Sequence, residues 1–170
     1  MSVVLMTGFP GFIGSAMLPR ILARREGKQA VCLVQERWLG MAAERVAEIE
    51  AARPHAAGRI LLLEGDITIP GLGIDTADRA RLSDLREVWH LAAVYDLAVP
   101  ESLARRVNVD GTEHVLELCR AQPDFRRLQY VSTCYVSGDY AGEFPEDEVD
   151  LGQGATLQAV FDSLNPMPEG

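Results

Sequence analysis

A short apolar strand that leads directly into a glycine-rich turn constrains the fold of this chain more than any other feature. Val3-Val4-Leu5-Met6 is a continuous apolar run, typical of a strand buried on both faces of a parallel sheet. The turn that follows carries glycines at Gly8, Gly11 and Gly14. The helical spacing of the apolar residues that follow predicts a helix from Phe12 to Arg25. The sequence therefore predicts a strand, a tight turn and a helix in succession.

Each glycine of this turn has a physical use. Gly8 permits a tight turn off the strand, Gly11 lets the backbone approach a pyrophosphate, and Gly14 lets the helix pack close to the sheet. The start of the helix offers free N–H groups and partial positive charge to phosphates. A glycine-rich turn without a ligand is the alternative, but the strand and helix on either side of it indicate a dinucleotide site.

Strand and helix patterns alternate through the rest of the chain. They predict an α/β fold with a doubly wound parallel sheet (a Rossmann fold) of about five strands and helices on both faces. The expected strands are 3–6, 30–34, 59–64, 87–91 and 127–132, the expected helices are 12–25, 42–52 and 101–121, and 70–73 is expected to be loop. Pro19 should kink or break the first helix. Gly111 should weaken the last one by about 1 kcal/mol unless a neighbour packs closely against it.

The pattern changes towards the end of the chain. We expect the Rossmann domain to cover residues 1–150 and a short tail to cover residues 151–170. The stretch Glu143 to Asp150 is acidic and predicts a solvated loop. The apolar residues Leu157, Val160, Phe161 and Leu164 are spaced as on one face of a short helix.

Composition excludes several classes of function. The 25 acidic and 16 basic residues give a net charge of −9, which argues against non-specific nucleic-acid binding. Cys32, Cys119 and Cys134 form no CxxC pair, so we expect neither a disulfide framework nor a metal site. No apolar run reaches the roughly 18–20 residues of a membrane span, and the first residues lack the features of a signal peptide. We therefore expect a cytoplasmic protein without a membrane partner.

Five motifs, in order along the chain, resemble those of the extended short-chain dehydrogenases/reductases. The turn Thr7-Gly8-Phe9-Pro10-Gly11-Phe12-Ile13-Gly14 resembles the TGxxGFxG opening of that family. Gly65-Asp66-Ile67 resembles the acidic position that contacts adenine, and His90-Leu91-Ala92-Ala93 resembles the HxAA stretch beside the cofactor. Asn108-Val109-Asp110-Gly111-Thr112 resembles the NVxGT helix motif, and residues 130–138 resemble the strand and loop that carry the active-site Ser/Thr.

The loop 65–73 resembles a more specific signature. Its sequence Gly-Asp-Ile-Thr-Ile-Pro-Gly-Leu-Gly is similar to the GDIxxPxLGL motif of the thioester-reductase and fatty acyl-CoA reductase branch of that family. That branch reduces carrier-bound or CoA-bound acyl thioesters with NADPH. The resemblance therefore implies that this chain supplies the cofactor-binding half of an NAD(P)-dependent oxidoreductase of acyl thioesters.

The resemblance also implies roles for individual residues. Thr133 would be the catalytic Ser/Thr that hydrogen-bonds the substrate oxygen, and the alternative is a strand-end threonine bonded to its own backbone. The expected cofactor-binding residues are Thr7, Gly8, Phe9, Pro10, Gly11, Phe12, Ile13, Gly14, Gln35, Arg37, Asp66, Ile67, Leu91, Ala92, Ala93, Asn108 and Ser132.

The end of the second strand bears on the choice of nicotinamide cofactor. An acidic residue there bonds the ribose 2′-OH of NAD, whereas a nearby arginine accommodates the 2′-phosphate of NADP. Glu36 and Arg37 offer both, and Gln35 stands where the acyl-reductase branch usually has arginine. We expect NADP, with NAD as the alternative; both side chains could also be ordinary solvated charges.

Enzymes that this chain resembles use a tyrosine whose pKa is lowered by a lysine four residues later. None of the tyrosines, Tyr95, Tyr130, Tyr135 and Tyr140, is followed by a lysine at that spacing, and Lys28 is the only lysine. A truncated or frame-shifted gene product is one explanation. A short form that binds the cofactor without turnover, as a sensor or regulatory module, is another, and a fragment of a nucleotide-sugar epimerase or dehydratase is a further alternative.

Two histidines and one sheet edge complete the expectations. His90 ends a buried strand and is expected to hydrogen-bond a loop rather than act as a base, while His114 is expected at the surface or in an interface. An open edge at the fifth strand predicts pairing with another chain. The family that this chain resembles also dimerises through the helix that corresponds to 101–121, so we expect a homodimer or a larger assembly.

Overall fold

The computed structural model describes residues 2–24, 27–96 and 98–132. The described residues up to Val131 belong to one compact unit, and Ser132 lies outside it. The acidic loop, the tail helix and the domain boundary at residue 150 lie outside the described residues, and so does Cys134.

Five strands form one parallel sheet in the order β3-β2-β1-β4-β5. Their bounds are β1 Ser2–Met6, β2 Lys28–Val34, β3 Ile60–Glu64, β4 Leu85–His90 and β5 Arg127–Tyr130. The predicted doubly wound parallel sheet is confirmed. The strands β2 and β4 begin about two residues earlier than expected, because Lys28 pairs with Ser2 and Leu85 pairs with Val3.

The helices are α1 Phe12–Ala23, α2 Leu39–Ala52, α3 Glu101–Arg105 and α4 Gly111–Arg120. Shorter 3₁₀ turns cover Glu36–Trp38, Pro54–Ala56 and Arg79–Leu82. In Pro70–Gly73, where a loop was expected, Gly71 and Leu72 have φ of 66° and 61°, outside the helical region. The segment predicted as one regular helix over 101–121 is helical but irregular, since a π-helical turn, Arg106–Asp110, joins α3 to α4. None of the helices among the described residues is both long enough and apolar enough to span a membrane.

Of the two outcomes expected at Pro19, a kink or a break of the first helix, the break does not occur. The helix α1 continues through Pro19 to Ala23. Leu18, Ile21 and Leu22 are buried on either side of the proline. Packing of this apolar face against the sheet outweighs the single backbone hydrogen bond that the proline removes.

Alternate residues of each strand supply two separate cores, one on each face of the sheet. In β1, Val3 and Leu5 join the core that also holds Val115 and Cys119 of α4. Val4 and Met6 join the opposite core, whose other members include Leu18, Ile21 and Leu22 of α1 and Ala42 and Ile49 of α2. A strand with both faces buried explains the unbroken apolar run with which the chain begins.

Gly111 allows the loop after β3 to pack directly on α4. A Cβ at Gly111 would lie 3.0 Å from Cγ1 and Cδ1 of Ile67. His114, expected at the surface or in an interface, is half-buried and places Nδ1 2.7 Å from the Ile67 carbonyl oxygen. Because a carbonyl oxygen only accepts, this nitrogen carries the proton. The glycine and the histidine together hold the Ile67 loop against the helix.

The only lysine is used in the core rather than at the surface. Lys28, at the start of β2, pairs with Glu87 of β4, and their side chains are 11% and 8% exposed. The two strands lie on opposite sides of β1. Removing one partner would leave a largely buried charge uncompensated, which is strongly destabilising.

His90 is fully buried at the end of β4. Its Nδ1 contacts the Thr7 hydroxyl at the end of β1, and its Nε2 contacts the Thr112 hydroxyl of α4. The prediction that His90 hydrogen-bonds a loop is confirmed by Thr7, the first residue after β1, and Thr112 of α4 is a second partner that was not expected. Burial lowers the pKa of His90 from 6.5 to about 4.

This lowered pKa predicts a pH dependence of stability. The unfolded chain takes up the proton below about pH 6.5, but the folded chain does so only near pH 4. The free energy of unfolding should therefore fall as the pH drops through this window, by about 1.4 kcal/mol per pH unit from this residue. Urea denaturation at roughly one-unit pH intervals across the window provides the readout.

The control for this effect is another histidine outside the core. His55 is exposed, so a His55→Asn variant should keep the slope of the wild-type protein. A His90→Phe variant should lose most of that slope. An equal slope in His90→Phe and in the wild type would contradict the assignment.

Candidate functional site

The glycine turn after β1 lies against the segment that follows β4. Gly8 has a φ of 80°, in the left-handed region. A Cβ at Gly8 would lie 2.8 Å from the Leu91 carbonyl carbon and 2.9 Å from the Ala92 nitrogen. No side chain fits in this space. Glycine is therefore needed at position 8 for two reasons: its left-handed backbone conformation and the close approach of the backbone after β4.

The other two glycines pack on the carbonyl oxygen of Gly8. A Cβ would lie 2.7 Å from that oxygen at Gly11 and 2.8 Å from it at Gly14. The Gly11 N–H also donates to the same oxygen at 3.0 Å. The expected role of Gly14 in helix-to-sheet contact is therefore corrected, because its close neighbours lie within the turn itself.

The helix α1 begins at this turn without a capping side chain. The residue before the helix is Gly11, which offers no side-chain hydrogen bond, and the first turn holds no acidic residue. The Ser15 N–H bonds to the Gly11 carbonyl oxygen, so the N–H groups of residues 12–14 precede the first bond of the helix. The Ser15 hydroxyl donates to the Pro10 carbonyl oxygen at 2.9 Å and holds the turn in place. This arrangement suits a bound anion.

Thr7 joins the glycine turn to the segment that follows β4. Its hydroxyl oxygen accepts hydrogen bonds from the backbone N–H groups of Leu91 and Ala92, each at 3.1 Å. A few residues further on, the Asn108 side chain bonds both backbone groups of Val94. We call residues 91–94 the β4 wall, and it is anchored at both ends.

A cavity of about 420 Å³ opens between the glycine turn and the β4 wall. It lies at the carboxyl ends of the strands. The strand order changes direction at this point: β2 and β3 lie on one side of β1, and β4 lies on the other side. Nucleotides bind at such a switch point in doubly wound folds. The residues that line it are Thr7, Gly8, Phe9, Pro10, Gly11, Leu33, Val34, Gln35, Arg37, Trp38, Met41, Gly65, Asp66, Ile67, Thr68, Ala92, Ala93, Val94 and Val107.

A second cavity of about 660 Å³ shares Gln35, Arg37 and Asp66 with the first. Gln35 bridges the other two, since its Nε2 donates to Asp66 Oδ2 at 2.7 Å and its Oε1 accepts from Arg37 Nε at 3.0 Å. Glu36 lines only the second cavity. The amide of Gln35 therefore holds the arginine beside the acidic group.

The electrostatics of Asp66 favour its ionised form. Partial burial opposes ionisation, but hydrogen bonds from Thr68 and Gln35, together with the charge of Arg37, hold the pKa of Asp66 below its usual value. The Thr68 N–H donates to Asp66 Oδ1 at 2.8 Å. Each carboxylate oxygen keeps a further lone pair, so Asp66 can still accept from a ligand amine.

The structure brings most of the predicted residues together. The cavity is lined by Thr7 to Gly11, Gln35, Arg37, Asp66, Ile67, Ala92 and Ala93. Phe12, Ile13 and Gly14 lie next to it in the first turn of α1, Leu91 packs against Gly8, and Asn108 acts through Val94. Ser132 is exposed and lies outside the compact unit that ends at Val131. Thr133 lies outside the described residues, so its role remains a prediction.

Sequence reasoning missed part of the lining. Trp38 and Met41 are exposed apolar residues beside the cavity, and Val94 and Val107 line it from the other side. Thr68 was missed as well, although a threonine two residues after an aspartate is a usual turn partner. The apolar residues gave no signal, because single exposed apolar side chains are common on protein surfaces.

The residues present fit a dinucleotide. The glycine turn, whose Cβ positions are blocked, and the uncapped start of α1 leave backbone N–H groups available to a diphosphate. Among the described residues no group of three or more His, Cys, Asp and Glu is placed to hold a metal ion.

Comparisons with known proteins agree with this site. A family model for an NAD-binding domain, described as Male sterility protein, matches residues 6–167. The chain is 28% identical, over a 178-residue alignment, to a putative fatty acyl-CoA reductase of Drosophila melanogaster, covering 98% of this chain and 31% of that protein. It is 28% identical over 144 residues to a component of the linear gramicidin synthase of Brevibacillus parabrevis, covering 82% of this chain and 3% of that protein.

A solved structure shares the fold. The terminal R domain from the myxalamid PKS-NRPS biosynthetic pathway superposes with a TM-score of 0.68 at 26% identity, over 96% of this chain and 45% of that one. This chain thus spans less than half of the proteins it matches here. The family match covers nearly the whole sequence, so the chain belongs to the Male sterility protein family of NAD-binding domains, in the thioester-reductase branch of the extended short-chain dehydrogenases/reductases.

Proposed function

We propose that this chain forms the cofactor-binding part of a reductase of acyl thioesters that uses NADPH. The observation that carries the proposal is the glycine turn, in which the positions of three missing Cβ atoms are filled by backbone at 2.7–2.9 Å. The turn leads into a helix start without a cap. Such a site binds the diphosphate that every nicotinamide dinucleotide contains.

The choice of NADP over NAD rests on Arg37. Gln35 receives the Nε–H of Arg37 and leaves the two terminal nitrogens of the guanidinium for a further partner. Arg37 lines both cavities, whereas Glu36 lines only the second. A guanidinium held by one nitrogen is well suited to a bidentate contact with the 2′-phosphate.

The substrate class rests on the relatives. Their names include a putative fatty acyl-CoA reductase and a linear gramicidin synthase, and the R domain belongs to a PKS-NRPS pathway. NADPH would supply a hydride to the thioester carbonyl carbon, and release of the thiol would leave an aldehyde. We assign to the Thr133 hydroxyl the hydrogen bond to the carbonyl oxygen.

Three broader proposals accompany this function. The cofactor-binding domain extends to about residue 150. The chain associates as a homodimer or larger assembly. The buried thiols of Cys32 and Cys119 are in keeping with a reducing, cytoplasmic setting.

The glycine turn can be tested by calorimetric titration with NADPH. We expect Gly11→Ala to weaken binding by at least about tenfold, since the added Cβ displaces the Gly8 carbonyl that shapes the turn. Gly40→Ala is the matched control, because a Cβ at Gly40 meets nothing within 4 Å. Equal NADPH affinity in Gly11→Ala and Gly40→Ala, or no binding by the wild-type chain, would contradict the proposed site.

Arg37 can be tested by comparing NADPH with NADH. We expect Arg37→Gln to weaken NADPH binding by about ten- to a hundredfold, the range for a charged hydrogen bond, and to leave NADH binding nearly unchanged. Arg45→Gln is the control, since Arg45 pairs with Glu48 on the exposed side of α2. An equal loss for both nucleotides would show that Arg37 does not contact the 2′-phosphate.

The substrate class can be tested by following NADPH oxidation and thiol release together after addition of an acyl-CoA. We expect the two to rise in step, and Thr133→Ala to slow both by about a hundredfold, as for loss of a donor to a developing oxyanion. Thr133→Ser keeps the hydroxyl and should retain most of both rates. NADPH consumption without thiol release would argue for a different carbonyl substrate.

A further inference from the structure

We propose that His90 is a positioning residue of the cofactor site, which as a neutral imidazole protonated on Nε2 joins the two anchors of the β4 wall through one chain of hydrogen bonds. The proposal deepens the proposed function and rests on it. It concerns a buried side chain that is absent from the cavity lining, so its influence must pass through other residues.

The first link of the chain is the Thr7 hydroxyl. Its oxygen already accepts from the backbone N–H groups of Leu91 and Ala92. A hydroxyl oxygen has two lone pairs and one proton, so both lone pairs are in use. The remaining contact, 2.7 Å to His90 Nδ1, must therefore be a bond that the hydroxyl donates. Nδ1 is the acceptor and carries no proton.

The second link follows from the first. A neutral imidazole without a proton on Nδ1 carries it on Nε2. Nε2 lies 3.1 Å from the Thr112 hydroxyl oxygen, which accepts this proton. The Thr112 hydroxyl in turn donates to the Asn108 carbonyl oxygen at 2.7 Å. Each donor along this path has one acceptor, so the direction of every bond is determined.

The last link returns to the β4 wall. Asn108 lies in the π-helical turn between α3 and α4. Its side-chain Nδ2 donates to the Val94 carbonyl oxygen at 2.7 Å, and its Oδ1 accepts from the Val94 N–H at 2.8 Å. The path therefore begins at Leu91 and Ala92, passes through the core at His90, and ends at Val94.

The surroundings of His90 favour the neutral ring. The side chain is fully buried, and it stacks on Tyr130 of β5 with 5.4 Å between ring centroids. The two nitrogens face hydroxyl groups, so no carboxylate contacts the ring among the described residues. A proton on Nδ1 would face a hydroxyl with no free lone pair.

The position of the β4 wall matters for the cofactor. Ala92, Ala93 and Val94 line the cavity. The backbone of residues 91 and 92 also leaves room at Gly8 for a hydrogen atom alone. A shift of this segment would therefore change the glycine turn as well as the wall, which couples the core hydrogen bonds to diphosphate binding.

The tautomer can be observed directly by nuclear magnetic resonance of the ¹⁵N-histidine-labelled chain. We expect the His90 Nδ1 shift of an unprotonated ring nitrogen and the Nε2 shift of a protonated one at neutral pH. An Nδ1–H tautomer or an imidazolium at neutral pH would overturn the proposal. This measurement needs no cofactor, so it is independent of the proposed function.

The coupling can be measured with Thr112 variants, because Thr112 contacts neither Leu91 nor Ala92 by hydrogen bond. We expect Thr112→Val to speed amide exchange of Leu91 and Ala92, and to weaken NADPH binding, each by about three- to tenfold. Thr112→Ser keeps the hydroxyl and should restore both values. In a His90→Phe background, Thr112→Val should add nothing further.

The outcomes separate a positioning role from a purely structural one. A lower melting temperature of Thr112→Val with unchanged exchange and unchanged NADPH affinity would overturn the proposal, and so would a Thr112→Ser variant as impaired as Thr112→Val. Thr76→Val, in an exposed turn, controls for the loss of a hydroxyl elsewhere. If the wild type bound no NADPH, the proposed function would fail, while the exchange rates would still decide whether His90 couples the two anchors.

Discussion

The contact between the backbone of Gly8 and the backbone of residues 91 and 92 is the constraint on which the rest of the site depends. It brings the end of β1 and the end of β4 together more closely than any side chain would permit. The Thr7 hydroxyl satisfies the two N–H groups that this approach would otherwise bury without partners. A threonine directly before the first glycine is therefore as necessary to the turn as the glycine itself.

Much of the fold could be predicted from periodicity, and the errors have physical causes. The two buried faces of the sheet produce continuous apolar strands, which are visible in the sequence. The continuation of α1 through Pro19 could not be foreseen, because local propensity carries no information about the packing of Leu18 and Leu22 on either side. The π-helical turn within 101–121 was not predicted either, and within it the Asn108 side chain bonds Val94, a contact with another segment that local propensity does not encode.

Some residues of the site could be identified from the sequence, whereas the contacts between them could not. The glycines could be identified because their conformational requirements are severe, and Asp66 was recognised from its motif. Gln35 was noted only as a departure from the usual arginine, but the structure shows it between Asp66 and Arg37, a role that requires knowing that β2 and β3 end side by side. His114 and Gly111 act on the Ile67 loop from a helix, and no local pattern reveals such a contact.

The start of α1 is a helix end that the sequence leaves incomplete. A serine, threonine, asparagine or aspartate before the first helical residue hydrogen-bonds one of the first N–H groups of a helix, and glycine there is less favourable by roughly a few tenths of a kcal/mol. Here glycine occupies that position, and an anion from outside the chain would have to take over the task. An anion that bonds these N–H groups binds only the folded chain. The free energy of unfolding should therefore rise as the site fills.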